Sequence, residues 1–97
     1  MKIDGFDWDE GNWPKCAKHG LSKAQIESIF KRPVSIFDDP SDTSDGHRFR
    51  AIGRDLDDRH IFIVFCVRRQ RGLTLLRPIS ARYMHAKEIR HYERQKA

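Results

Sequence analysis

The side chains able to do chemistry in this chain are histidine, arginine, lysine and tyrosine, and they come in groups. Lys18 and His19 stand together just before Gly20. An imidazole titrates near neutrality and can take or give a proton, and an ammonium beside it can hold an anion. Arg48 and Arg50 are two residues apart, which puts both on one side of an extended strand. Arg77 and Arg82 follow, then His85, Glu88 and Tyr92 at helical spacing. If a helix covers residues 81–95, Arg82, His85, Glu88 and Tyr92 share roughly one of its faces. An arginine opening a helix opposes the helix dipole. Arg82 therefore asks for an anion, either Glu88 or a phosphate.

Together these groups suit cleavage of RNA without metal. A ribose 2′-hydroxyl can attack the adjacent phosphate if a base takes its proton, an acid protonates the leaving oxygen and cations stabilise the phosphorane. The same groups would also bind RNA and leave it intact. His19 has a plainer use as well, because a cation at the end of a short helix favours the exposed carbonyls there.

Other chemistries are poorly served. Cys16 and His19 have the spacing of half a zinc site, but Cys66, the second cysteine, falls in an apolar run. Residues 42–46 lack the alternating oxygen ligands of a calcium loop. There is no glycine-rich phosphate cradle. A cysteine nucleophile needs an exposed thiol beside a base, which only Cys16 with His19 approaches. The expectation is therefore no metal and no cofactor.

The charge balance points the same way as the arginines. Residues 1–66 hold ten Lys/Arg against twelve Asp/Glu, whereas residues 67–97 hold nine against two. The net charge of +5 thus arises in the last third of the chain. Seven of those nine cations are arginines, whose planar forks match phosphate oxygens. Such a field suits a polyanion or an acidic protein. Ninety-seven residues make one small domain, residues 1–97. No apolar run is long enough to span a membrane, and no apolar run follows Lys2 as in a secretory signal. Two cysteines make no disulfide scaffold. The expected setting is the cytoplasm.

The elements that must position these groups follow from the pattern. Ile3, Phe6 and Trp8 alternate loosely, a first strand over 1–8. Asn12 can cap a short helix that Gly20 ends. Ser22 and Gln25 fit a capping box for a second helix, with Ile26, Ile29 and Phe30 as its apolar stripe and Pro33 as its stop. Residues 34–37 read as a strand and 38–46 as a polar loop. Residues 48–54 and 60–67 read as strands, the latter apolar on both faces. Residues 68–72 close a hairpin onto a last strand over 73–79, and Ser80 can cap a final helix over 81–95. The class is α+β, a small and mainly antiparallel sheet with two N-terminal helices and one C-terminal helix. The apolar stripe of the final helix is thin, so it needs a sheet edge or a partner to dock on.

Four segments together resemble the BrnT toxin family. They are Phe6-Asp7-Trp8-Asp9, Lys18-His19-Gly20, Arg48 with Ile52-Gly53-Arg54, and Arg77-Pro78-Ile79-Ser80-Ala81-Arg82 followed by Glu88 and Tyr92. The resemblance runs from about residue 6 to residue 93. It implies a compact RelE-like fold and a ribonuclease toxin that arrests translation and growth. It implies a BrnA-like antitoxin as partner, usually two toxins with two antitoxins, which masks the toxin and binds the operon's DNA. The chain departs from the family at Asn12 and Cys16, where many members carry Lys and Asn, and at Tyr83, where many carry Arg. Lys15 is placed to replace the missing lysine in part. The expected catalytic groups are His19, Arg48, Arg77, Arg82, His85 and Tyr92, and the expected RNA-binding groups are Lys15, Lys18 and Arg50. Three other readings stand beside this one: a non-catalytic RNA- or DNA-binding module, a decayed, non-toxic member of the family, and a domain whose last helix merely docks a partner.

Overall fold

The computed structural model describes residues 2–40 and 46–96. The elements are β1 (Gly5–Phe6), a 3-10 helix (Lys15–His19), α1 (Lys23–Ser28) continued by a 3-10 turn (Ile29–Lys31), β2 (Ser35–Asp38), β3 (Arg48–Arg54), β4 (His60–Gln70), β5 (Leu73–Tyr83) and α2 (Ala86–Lys96). Among the described residues the strands form one sheet in the order β1-β5-β4-β3-β2. β2 to β5 pair antiparallel and β1 joins β5 in parallel. The α+β class and the mainly antiparallel sheet are as expected, and the one parallel pair, β1 with β5, makes the sheet mixed. The described residues hold two α-helices where three were expected. The polar loop expected over 38–46 is described only at its ends, since 41–45 lie outside the described residues.

The local signals explain most of these elements. The Ser22–Gln25 capping box closes in both directions, at 3.1 Å and 2.9 Å. Gly20 has φ +88° and ends the preceding helix in the left-handed region. That helix is 3-10 rather than α. Asn12, expected to cap it, spends its side chain elsewhere, and bonds such as Gly20 N–H to Ala17 O tighten the turn. At the hairpin, Arg71 (φ 51°) and Gly72 (φ 79°) form the two-residue turn that suits twisted strands.

Three boundaries differ from expectation. The first strand shrinks to Gly5–Phe6. The last strand runs on to Tyr83, because Ile61 and Ile63 at the start of β4 pair with Tyr83 and Ala81. Ser80 and Arg82 therefore belong to this strand, not to a helix. Between the pairs Val64–Ser80 and Phe65–Pro78, β5 carries the extra residue Ile79, a bulge beside a proline that has no N–H to give the ladder.

The core lies on one face of the sheet. Cys16, Leu21, Ile26 and Ile29 from the helical segment close over Ala51, Ile61, Ile63, Phe65, Leu76 and Ala81. Burying each large aliphatic or phenyl group contributes about 1.5–3 kcal/mol. Phe65 stacks on Phe49 and meets Phe30 edge-on. On the opposite face, pairing register puts Arg48, Arg50 and Ile52 of β3 beside Cys66, Val64 and Phe62 of β4, and these beside Arg77, Ser80 and Arg82 of β5. α2 lies over part of that face through Tyr92, its buried residue. The Tyr92 hydroxyl meets Ser35 Oγ at 2.5 Å, and its ring meets Phe37 and His60. The thin stripe thus docks on the sheet face of its own chain.

Candidate functional site

Period-two alternation places five arginines, Arg48, Arg50, Arg68, Arg77 and Arg82, on the face opposite the core. Arg48, Cys66 and Arg77 form one row across β3, β4 and β5. A cavity of about 240 Å³ opens over this row, lined by Arg48, Cys66, Arg77, Ile79, Lys15, Gly11 and Asn12. Three of the expected residues, Lys15, Arg48 and Arg77, thus meet there.

Arg77 is held from the N-terminal segment. Its guanidinium donates to Asp7 Oδ2 at 3.3 Å and to Asp9 Oδ1 at 2.9 Å, and its side chain is only 11% exposed. The pairing with Asp9 raises the Arg77 pKa above its ordinary value. The same bond, followed by the Gly11 N–H, holds Asp9 below the usual carboxylate range. Asn12 fixes this segment to the bulge. Its amide nitrogen donates to Asp7 O and Pro78 O, both at 2.9 Å, and its oxygen accepts from the Asp9 N–H. Asn12 is thus a buried bracket between the N-terminal segment and β5.

Arg82 is paired within the chain. Both terminal nitrogens donate to Glu88, each at 2.8 Å, and the guanidinium lies 4.8 Å over the Phe62 ring. Of the two anions expected for Arg82, Glu88 is its partner within the chain. Arg82, and the His85 N–H after it, hold the Glu88 carboxyl down to about 2. His85 is the N-cap of α2: its carbonyl accepts from Ile89 N–H at 3.0 Å, and Glu88 reaches back to its N–H at 2.9 Å. The expected single helix face is therefore replaced by a strand-to-helix corner.

Arg50 donates Nε to the buried Asp39 at 3.1 Å. With Tyr92 and Glu88 it lines a second cavity of about 290 Å³ between α2 and the sheet. His19 and Lys18 stand exposed on the 3-10 helix and line neither of these cavities. Tyr92, bonded to Ser35, acts as the anchor of α2. Cys16 and Cys66 are both buried free thiols, and burial pushes the Cys16 thiol up. Among the described residues no three His, Cys, Asp or Glu side chains cluster as a metal site, and no helix is long and apolar enough to cross a membrane.

Several contributors escaped sequence reading. Asp7 and Asp9 alternate along an extended segment, and that spacing alone could have marked them as a pair facing one way. His60 has no such signal. It is 11% exposed, bonded to Glu93 at 3.0 Å, and joins the start of β4 to α2 across 33 residues.

An arginine row beside a lysine, on an open sheet face, is a surface able to hold and polarise phosphodiesters. Comparison with known proteins agrees with that chemistry. A search among curated proteins finds no match. The family model for the BrnT ribonuclease toxin of type II toxin–antitoxin systems matches residues 8–88, a span from Trp8 through the arginine row to Glu88. The chain belongs to the BrnT family of type II toxin–antitoxin ribonuclease toxins.

Proposed function

We propose that this chain cleaves RNA by attack of the ribose 2′-hydroxyl, without metal, and so arrests translation and growth. The observation that carries the proposal is the cavity where Lys15, Arg48 and Arg77 converge. Arg48 and Lys15 hold the phosphate and Arg77 stabilises the charge that grows on it. Arg77 is presented rigidly because Asp7 and Asp9 fix its fork. Arg82, locked by Glu88, and Arg50 extend the cationic track toward α2. Lys18 guides RNA from the 3-10 helix. His19, which acts from the exposed 3-10 helix outside the cavity, takes the 2′-hydroxyl proton as the new P–O2′ bond forms and returns a proton to the O5′ that leaves, with His85 and Tyr92 as reserve groups. The RNA enters as a single strand, whose backbone lies open to arginine forks.

A BrnA-like antitoxin neutralises the activity by covering this face, in a complex of two toxins and two antitoxins, and any contact with operator DNA is the antitoxin's. The site of action is the cytoplasm. The test is induced expression in a bacterial host, with and without the neighbouring antitoxin gene, while RNA integrity is followed. Arrest with RNA fragmentation, relieved by the neighbour and abolished in a folded Arg77→Ala/Arg82→Ala variant, is the expected result. Full toxicity of that variant would remove the proposed phosphate track. Intact RNA with strongly salt-dependent RNA binding would point instead to a binding module.

A further inference from the structure

We infer that the cavity beneath α2 is a nucleobase pocket, which takes one unstacked base of single-stranded RNA against the ring of Phe37. The inference rests on the reading that the arginine face binds RNA. Three large apolar side chains are strongly exposed among the described residues: Phe37, Leu56 and Leu73. Leu56 lies in the β3–β4 turn and Leu73 opens β5 at the hairpin. Phe37 is different. It lies within β2, 45% exposed, directly across from Arg50. An exposed ring beside a cation on a sheet face is the arrangement by which single-stranded RNA is held, the base on the ring and the phosphate on the cation.

The cavity has the shape and lining for this. It measures about 290 Å³, with Ile52, Phe62 and Met84 as apolar surface and His91 and Gln95 as polar groups. A Gln amide offers a donor and an acceptor, which is what the edge of a base requires. Phe62 already carries the Arg82 guanidinium, whereas Tyr92 crosses Phe37 at 87° rather than lying parallel to it. Phe37 is therefore the ring suited to stacking. The bond from Arg50 to Asp39 uses one of five N–H donors on its guanidinium. Arg48, in the phosphate cavity, is two residues from Arg50 on the same side of β3, about 7 Å along the strand. One extended nucleotide covers that distance, so the base pocket and the phosphate cavity fit consecutive parts of one strand. An acidic protein segment would use the same cations and an apolar one would bury the same ring, so the antitoxin is one of the occupants that the test separates from a base.

Met84 makes the test direct, because the chain has two methionines and this one lines the cavity. Protein carrying 13C-methyl methionine is titrated with each of the four nucleoside 5′-monophosphates, and with ribose 5-phosphate as the probe without a base. The expected result is a saturating ring-current displacement of the Met84 methyl by one or two of the nucleotides and none by ribose 5-phosphate. Phe37→Ala should weaken that binding about tenfold, as loss of one base–aromatic stack does, and Phe37→Trp should keep it. The variants should also shift the sites at which RNA is cut. The pocket is overturned if ribose 5-phosphate moves Met84 as the nucleotides do. It is equally overturned if no nucleotide moves Met84 while the wild-type protein still cleaves RNA, or if only the antitoxin moves it. In those cases the ribonuclease reading stands. If the wild-type protein neither binds nor cleaves RNA, that reading falls and takes the pocket with it.

Discussion

Replacing Glu88 by Gln isolates the charge in the corner that joins β5 to α2. Gln keeps the length of the side chain and can still accept from the His85 N–H, since either residue serves at this position of a capping box. What it loses is the charge facing Arg82. Glu88 titrates at about 2 in the folded protein against an ordinary 4.5. At about 1.36 kcal/mol per pH unit, that difference corresponds to about 3 kcal/mol in an unscreened setting. Arg82 and Glu88 are 33% and 37% exposed, however, and solvent screening reduces the contribution to about 1 kcal/mol. For a domain of this size, Glu88→Gln should lower Tm by about 4–8 °C at pH 7. The folded-state value lies below the unfolded one, so the stabilisation is complete above the ordinary 4.5 and disappears as pH falls toward about 2. Thermal melts of both proteins across that range should converge at the acid end. An equal gap at pH 7 and pH 2.5 would show that packing, not charge, was lost. No gap at pH 7 would show that the bidentate pair adds nothing to stability.

Two further substitutions separate stability from function. A Cβ on Gly11 would stand 2.8 Å from Arg77 Nη2, the mobile end of a side chain. Gly11→Ala should therefore push the guanidinium off Asp9 and cut RNA cleavage at least tenfold, while Tm in the same preparation falls by no more than the roughly 4–8 °C expected of Glu88→Gln. A Cβ on Gly53 would stand 3.1 Å from Ile29 Cβ, an atom tied to the backbone of the core. Gly53→Ala should cost about 1–3 kcal/mol in urea unfolding, with its effect on RNA cleavage limited to the loss of folded protein.

Much of this architecture is legible in the chain because local chemistry decides it. The Ser22–Gln25 box, the left-handed Gly20, the Arg71-Gly72 turn and the alternation of β3 each need only their near neighbours. The misread parts depend on distant ones. Nothing local shows that Asn12 serves Pro78 rather than a helix end. Nothing local extends β5 past Ile79 either, because that extension is dictated by Ile61 and Ile63 needing partners in the ladder. The arginines of the site were identifiable by type and spacing. Their carboxylate partners were not, except for Glu88, since Asp7 meets Arg77 across 70 residues of chain.

That separation sets an order of events during synthesis. β1 leaves the ribosome early and has nothing to pair with until Leu75 and Leu76 emerge. The carboxylates of Asp7 and Asp9 likewise wait for Arg77. A nascent chain can form its α1 turn and the β3–β4 ladder, but the cavity beside Arg48 and Cys66 has no Arg77 wall until β5 has been made. The cavity is thus completed late, when β5 pairs with the β1 strand made before it. A fragment that stops before β5 lacks Arg77 and Ile79, and with them the cavity altogether.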